Sequence, residues 1–410
     1  MMNKIAIIRE SRTDDSRTPL VPKHIKKLSS KFPDISITIQ PSKHRCFSDQ
    51  EYEEEGAMIN EDLSTCDLIL GVKEIEPDLL ISSKSYMFFS HTSKIQPDNS
   101  AAAQGTPGMD KKELLREILS KKITLIDYEN IRDDLSRRYL GFGRFAGIVG
   151  CYNSLNLYLE TLDQRPMPHA HKLSSYEKLK DNIGKRDFGN ARIIITGDGR
   201  VARGSLEFLE FSNIQKVSQD EYLENNNTSA VFCNLSTSSY VSHKDGNVFD
   251  LQHFINFPEM YISVLHKYMP STNMLISAHY WDPKSPRLLE KKNIEKYNNL
   301  KVIGDITCDV NGSIPTTSRP STIIDPYYYV DRTTLQEVNQ HNQTLAVMAV
   351  DNLPSELPKD SSKEFGDGIV NEVLPYILGT DDGRIKKATI TENGNFLPSY
   401  KYLTNYINTK

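Results

Sequence analysis

The chain has 410 residues, 38% hydrophobic and 25% charged, which is the make-up of a globular protein of two or three domains rather than a disordered or fibrous one. Lys plus Arg number 49 and Asp plus Glu 54, so the net charge of −5 gives no general pull toward nucleic acid or an anionic membrane. Five scattered cysteines lack metal or disulfide spacing, MMNKIAIIRE is no signal peptide, and no stretch reaches the length of a membrane span. These features lead us to expect a cytoplasmic protein with reduced thiols.

From the start the chain alternates strand and helix. Ile5–Ile8 reads as a strand, Val21–Phe32 as an amphipathic helix, Ile35–Ile39 as a second strand and Ser48–Ala57 as an acidic helix. Asp67–Val72, Tyr86–Phe89 and Ile123–Ile126 follow as strands, with a helix over Lys111–Lys121 before the last. Such alternation predicts a parallel sheet covered on both faces, whose carboxyl ends share the edge where ligands bind. Arg9, Glu10, Asp15 and Arg17 follow the first strand, and Lys73 and Glu74 the third. His91 and Lys94 follow the fourth, Asp127 and Glu129 the fifth. Taken singly, each reads as a solvated strand end or a structural hydrogen-bonding group. Together at one edge they predict a polar cleft. Residues 95–110, small and aperiodic, read as a loop inserted at the surface.

Phe142–Leu162 has the pattern of a long helix crossing into a second domain, followed by a polar stretch, Asp163–Asn190. His169 and His171 lie in that stretch, but no third ligand is near, so no metal is expected. Ala191–Phe211 (ARIIITGDGRVARGSLEFLEF) is the most informative segment: a buried strand, a glycine turn and a helix. Gly197 lets the chain turn, Gly199 leaves room for a pyrophosphate, and Ala202 takes the small third place. The amides at Asp198–Val201, including that of Arg200, would hold the phosphates at the positive end of the helix. A plain strand-to-helix turn is the competing reading. After the next strand, Ile214–Val217, an NAD-selecting fold usually places an acid. Here Ser218 and Gln219 stand there and Asp220 follows, which with Arg200 and Arg203 tilts the reading slightly from NAD toward NADP. Further strands are predicted at Ala230–Leu235, Met274–Ala278 and Val302–Ile306, the last ending at Asp305 in the polar run DITCDVNGS. Leu345–Val350 reads as a strand returning to the first domain.

The chain resembles the lysine–ketoglutarate reductase half of the animal and plant bifunctional lysine-degrading enzyme. It is similar, more distantly, to the fungal lysine-forming saccharopine dehydrogenase, within the alanine dehydrogenase and transhydrogenase superfamily. RTPLVPKHIKKL (17–28), DLILGVKEI (67–75), YMFFSHTSK (86–94), ITLIDYENI (123–131) and GFGRFAGIVG (141–150) carry the likeness in the first half. WDPKSPRLL (281–289), GDITCDVNGSI (304–314), DNLPSELP (351–358), FGDGI (365–369) and ATITENGNFLPSYKYL (388–403) carry it in the second.

That resemblance implies an α/β fold of two Rossmann-like domains with parallel sheets and an active-site cleft between them. Residues 1–140 plus 326–410 would form the catalytic domain and 141–325 the dinucleotide-binding domain. It implies the joining of L-lysine and 2-oxoglutarate into saccharopine with NADPH or NADH, or the reverse. Lys73 and His91 match the acid–base pair, Glu74 and Glu129 the acids beside it, and Asp15, Arg17 and Lys94 the substrate side, with Arg137 or Arg138 as further cations for a dicarboxylate. Small-molecule partners are implied, no nucleic acid or membrane, and a homo-oligomer is left open. The matched region holds no glutamate-forming second dehydrogenase, and the 95–110 loop departs from the pattern. The rival readings are another amino-acid dehydrogenase of the superfamily and a catalytically silent NAD(P)-binding regulator.

Overall fold

The computed structural model describes residues 2–93, 95, 109–340 and 343–408 and divides into two units, Met1–Gly141 with Pro358–Lys410, and Phe142–Leu357. Short apolar runs supply the strands, and those at the centre of each sheet are buried on both faces, as parallel strands must be. The first unit opens with β1 (Lys4–Ile7), β2 (Ser36–Ile39), β3 (Met58–Ile59), β4 (Leu68–Leu70), β5 (Ser85–Phe88) and β6 (Thr124–Asp127). In the second unit follow β7 (Arg192–Thr196), β8 (Gln215–Lys216), β9 (Val231–Leu235), β10 (Val241–His243), β11 (Tyr261–Ser263), β12 (Met274–Ser277) and β13 (Val302–Asp305). It ends with β14 (Tyr327–Asp331), β15 (Glu337–Val338) and β16 (Thr344–Met348), after which β17 (Thr389–Glu392) and β18 (Asn395–Phe396) return to the first.

The first sheet has the order β18-β17-β6-β5-β4-β1-β2-β3, and the second β15-β14-β16-β13-β12-β7-β9-β8. Six strands of each are parallel, and an antiparallel pair closes one edge: β17 and β18 beside β6, and β14 and β15 beside β16. The chain order reverses beside β1, which has β2 on one side and β4 on the other. It reverses again beside β7, between β9 and β12. Ligands of open α/β sheets bind in the crevice outside such switch points.

Two pairs of helices hold these edges in place. Pro22–Lys31 starts with proline in its first turn, and the Val21 amide donates to His24 Nδ1 at 3.0 Å. Gly366, on the helix Pro358–Gly368, lies so close that a Cβ there would sit 2.3 Å from the His24 ring. The Thr18 amide also donates to Ser362 Oγ at 3.0 Å, so this late helix packs beside the loop carrying Asp15 and Arg17. In the second unit, Gly143–Thr161 is buried around its whole circumference and meets Arg200–Leu209 at two glycines. A Cβ on Gly147 would lie 1.9 Å from Val201 O, and one on Gly204 2.0 Å from Arg144 O. Only glycine permits that approach.

One expectation needs correction. The chain does not leave the second unit at 326: β16 pairs in parallel with β13, Ala346 opposite Val302, and the crossing comes after Leu357. Each sheet is parallel over six strands, including the edge strands β3 and β8, and the returning segment enters in the opposite direction at the other edge alone. The polar stretch Asp163–Asn190 contains a helix, Tyr176–Ile183, anchored by buried Leu179 and Ile183. Lys94 and nearly all of the 95–110 loop lie outside the described residues. Among the described residues no helix is long and apolar enough to cross a membrane, and no group of three or more His, Cys, Asp or Glu is placed to hold a metal.

Candidate active site and nucleotide turn

In the first unit, the loops after β1, β4, β5 and β6 leave the same edge of the sheet. Glu10, three residues past β1, crosses the switch point: its carboxylate accepts the Val72 amide at 2.6 Å and the Lys73 amide at 2.8 Å. This fixes the backbone that carries Lys73. Burial, with the charge of Asp15 adding to it, pushes the Glu10 carboxyl up to about 8. The Lys73 ammonium sits lower than an ordinary lysine, because burial and the Arg17 guanidinium disfavour its charge, while Glu74 and Asp15 work the other way.

Asp15 and Arg17 form a buried pair, with Arg17 Nε at 2.9 Å from Oδ1 and Nη2 at 2.5 Å from Oδ2. Burial alone would raise the Asp15 carboxyl, but the Arg17 charge and hydrogen bonds outweigh it and hold it well below the usual range. A substrate carboxylate therefore meets an Arg17 fork that Asp15 already grips on two nitrogens.

His91 lies past β5 with φ of 52°, in the left-handed region that a non-glycine residue occupies at a cost of about 1–3 kcal/mol. Its Nδ1 is 3.6 Å from Glu129 Oε2, and both ring nitrogens are buried without a hydrogen-bond partner among the described residues. Burial lowers its pKa, and Glu129 partly restores it. Phe89 stacks over the imidazole at 6.2 Å between centroids and leans on Tyr128 and Phe365. Arg138 Nη1 stands 3.3 Å from Glu129 Oε1, whereas Arg137 turns outward to Asp133 at 2.8 Å. Of the two arginines, Arg138 is the one at this edge. Glu74 is buried beside Lys73.

In the second unit, β7 runs into Gly197 at φ of 108°, a conformation open to glycine. A Cβ there would also lie 2.8 Å from Ala278 O, at the end of β12. Asn234 Nδ2 donates to Gly197 O at 3.0 Å, and Asp198 accepts the Thr237 amide at 3.2 Å, so the turn is braced from the end of β9 and the segment just after it. Gly199 caps the helix Arg200–Leu209 without a side-chain cap, and a Cβ there would meet nothing within 4 Å. No protein atom requires glycine at 199, and open space in front of a helix N-terminus is what a pyrophosphate needs. The nicotinamide dinucleotide implied for this turn therefore fits the residues present. Arg200 is exposed on the first turn, Val201 is half-buried and Ala202 is buried in the same hydrophobic cluster as Ile193 and Ile195. The close approach at Gly204 is to the helix Gly143–Thr161 rather than to β7.

Ser218 caps the helix Gln219–Glu224, accepting the Glu221 amide, and Asp220 is exposed in its first turn. Asp305 is buried, accepts from Thr307 Oγ1 at 2.6 Å and Thr317 Oγ1 at 2.5 Å, and is pushed by burial up to about 6. His279 escapes sequence reasoning altogether. It lies behind the glycine turn, with Nδ1 at 2.7 Å from Thr196 Oγ1 and Nε2 at 2.9 Å from Ser313 Oγ, and burial lowers it to about 4. Its one sequence signal is its place at a strand end of the nucleotide sheet.

Residues 6–149 match the N-terminal domain of alanine dehydrogenase/PNT, and residues 249–396 match its C-terminal domain. An alpha-aminoadipic semialdehyde synthase of Arabidopsis thaliana is 30% identical over 95% of this chain and 40% of its own. A saccharopine dehydrogenase (NAD+, L-lysine-forming) of Emericella nidulans is 23% identical over 91% of this chain and 92% of its own. This chain spans less than half the length of the first of these relatives. Among solved structures, an L-alanine dehydrogenase superposes with a TM-score of 0.64 at 13% identity, covering 98% of this chain and 99% of that one.

Proposed function

We propose, for a chain that belongs to the alanine dehydrogenase/PNT family, an oxidoreductase of lysine metabolism that condenses L-lysine with 2-oxoglutarate and reduces the product to saccharopine, or runs the reverse. The observation that carries the reading is the convergence of Lys73, His91, Glu129 and Arg138 on one edge of the first sheet, with the His91 ring nitrogens buried and unpartnered among the described residues. The similarity to lysine-forming saccharopine dehydrogenases supports the substrate pair.

The lysine ε-amine must lose a proton before attacking the ketone. His91, kept neutral at pH 7 by its burial, takes that proton through a ring nitrogen, and Glu129 stabilises the imidazolium that forms. Lys73 gives a proton to the departing hydroxyl as water leaves the carbinolamine, its own proton made easier to lose by burial and Arg17. The phenyl ring of Phe89 lies nearly parallel to the imidazole, its centroid 6.2 Å away. Arg138 and the Asp15–Arg17 pair, with Lys94 from outside the described residues, orient the substrate carboxylates. A reduced nicotinamide, when bound at Gly197–Ala202, supplies the hydride for the imine carbon. NADPH is favoured slightly over NADH, because an acid is absent directly after Val217 and Arg200 stands exposed at the turn.

The reading is tested on the reverse reaction, by following reduction of NADP+ or NAD+ with saccharopine as sole substrate. Release of lysine and 2-oxoglutarate in equal amounts supports it. Reduction with alanine and none with saccharopine would assign the chain to another amino-acid dehydrogenase, and none with either to a silent nucleotide binder.

A further inference from the structure

We propose that Asp127 is a positioning residue, one buried carboxyl group that sets His91 and Glu129 against each other; this deepens the reading of His91 as a proton-transfer group and rests on it. The ladder between β5 and β6 ends at the pair Phe88 and Asp127. Beyond it no backbone pairing links the two loops among the described residues, and the Asp127 side chain takes over. On one side, Oδ2 accepts the Ser90 amide at 3.2 Å and the Ser90 hydroxyl at 2.5 Å. On the other, Oδ1 accepts the Glu129 amide at 2.8 Å. Ser90 Oγ also lies 2.7 Å from Thr92 Oγ1 and accepts the Thr92 amide at 3.3 Å. Both neighbours of His91 are thereby tied, which holds the left-handed backbone at that residue.

The chemistry of the site calls for a carboxyl group. Three donors converge on two oxygens, and an amide would turn an NH2 toward at least one N–H. A wholly buried acid is costly to keep, and packing alone would be better served by an apolar residue. Burial and then the charge of Glu129 push this carboxyl upward, while the three donated hydrogen bonds oppose them. Tyr128, Tyr400 and Tyr402 are the other titratable groups that sense its charge, and Arg132 faces Tyr400 from the same side.

The test compares wild type, Asp127→Asn and Ser90→Ala by NMR titration of the His91 imidazole, alongside kcat and KM against pH with lysine and 2-oxoglutarate. In Asp127→Asn, Glu129 loses its register, so the His91 midpoint moves further down. There kcat falls ~10–100-fold, as a misplaced catalytic group costs, with smaller changes in either KM. Ser90→Ala keeps the backbone bond to Oδ2 and falls between. A folded Asp127→Asn with the His91 midpoint and pH profile of wild type would overturn the proposal. If Asp127→Asn does not fold, Ser90→Ala decides: a lowered midpoint supports the proposal and an unchanged one overturns it. Should wild type show no turnover with this substrate pair, the reaction assignment fails, while the His91 titration still decides the role of Asp127.

Discussion

His91 and Glu129 face each other from the ends of adjacent parallel strands, Nδ1 to Oε2 at 3.6 Å, in surroundings that disfavour charge on the imidazole. Burial lowers the histidine and Glu129 raises it. Glu129→Gln removes the raising partner, so the imidazole loses its proton at a lower pH than in wild type. For a group that acts as a base, the acidic limb of kcat/KM then shifts to lower pH, with a lower plateau because the imidazolium is no longer stabilised. A pH–rate profile of the two proteins checks this, and a shift upward would contradict it.

The Asp15–Arg17 pair makes a prediction about stability. The folded Asp15 carboxyl lies below its unfolded value of about 3.9, so the stability it contributes is fully present above that pH and is lost as pH falls through the lower folded value. Asp15→Asn leaves Arg17 buried with its strongest partner gone, at a cost of about 3–5 kcal/mol near neutrality. Thermal unfolding from pH 7 to pH 2 should show the gap between variant and wild type narrowing as the medium becomes acid.

The two glycines of the turn should separate folding from binding. Gly197→Ala forces a side chain into a left-handed backbone and against Ala278 O, and should lower the melting temperature by several degrees. Gly199→Ala meets no protein atom, so it should fold as wild type does while weakening nucleotide binding. Calorimetry and a nucleotide titration on the same preparations distinguish them.

Cofactor choice gives a fourth prediction. NADPH should bind more tightly than NADH, and Arg200→Ala should narrow the difference by weakening NADPH alone. Equal weakening of both would place Arg200 on the shared pyrophosphate instead.

Much of the fold was legible because buried parallel strands are short apolar runs bounded by polar residues. Ile5–Ile8, Tyr86–Phe89 and Met274–Ala278 all lie within a residue of the observed strands. The strand ends were legible for the same reason, since the polar residues after each apolar run in such a sheet must emerge at one edge. The domain crossing was not, because Leu345–Val350 is apolar in a way that suits either sheet, and only the pairing of Ala346 with Val302 decides. Nor could adjacent Arg137 and Arg138 be told apart. That choice depends on a bridge between Arg138 and Arg132, formed by a tight turn around Asp133. Glu10 and Asp127 act through side-chain bonds to the backbones of distant loops, and such bonds leave no periodicity to read.

The most direct test is oxidation of NADPH and NADH by the purified chain with lysine and 2-oxoglutarate, together and singly, beside Lys73→Ala and His91→Ala. The expected result is turnover that needs both substrates and falls ~10²–10⁴-fold in kcat/KM in each variant. Oxidation that proceeds with one substrate alone, or that survives in both variants, would contradict the assignment of Lys73 and His91 as the acid–base pair of this reaction.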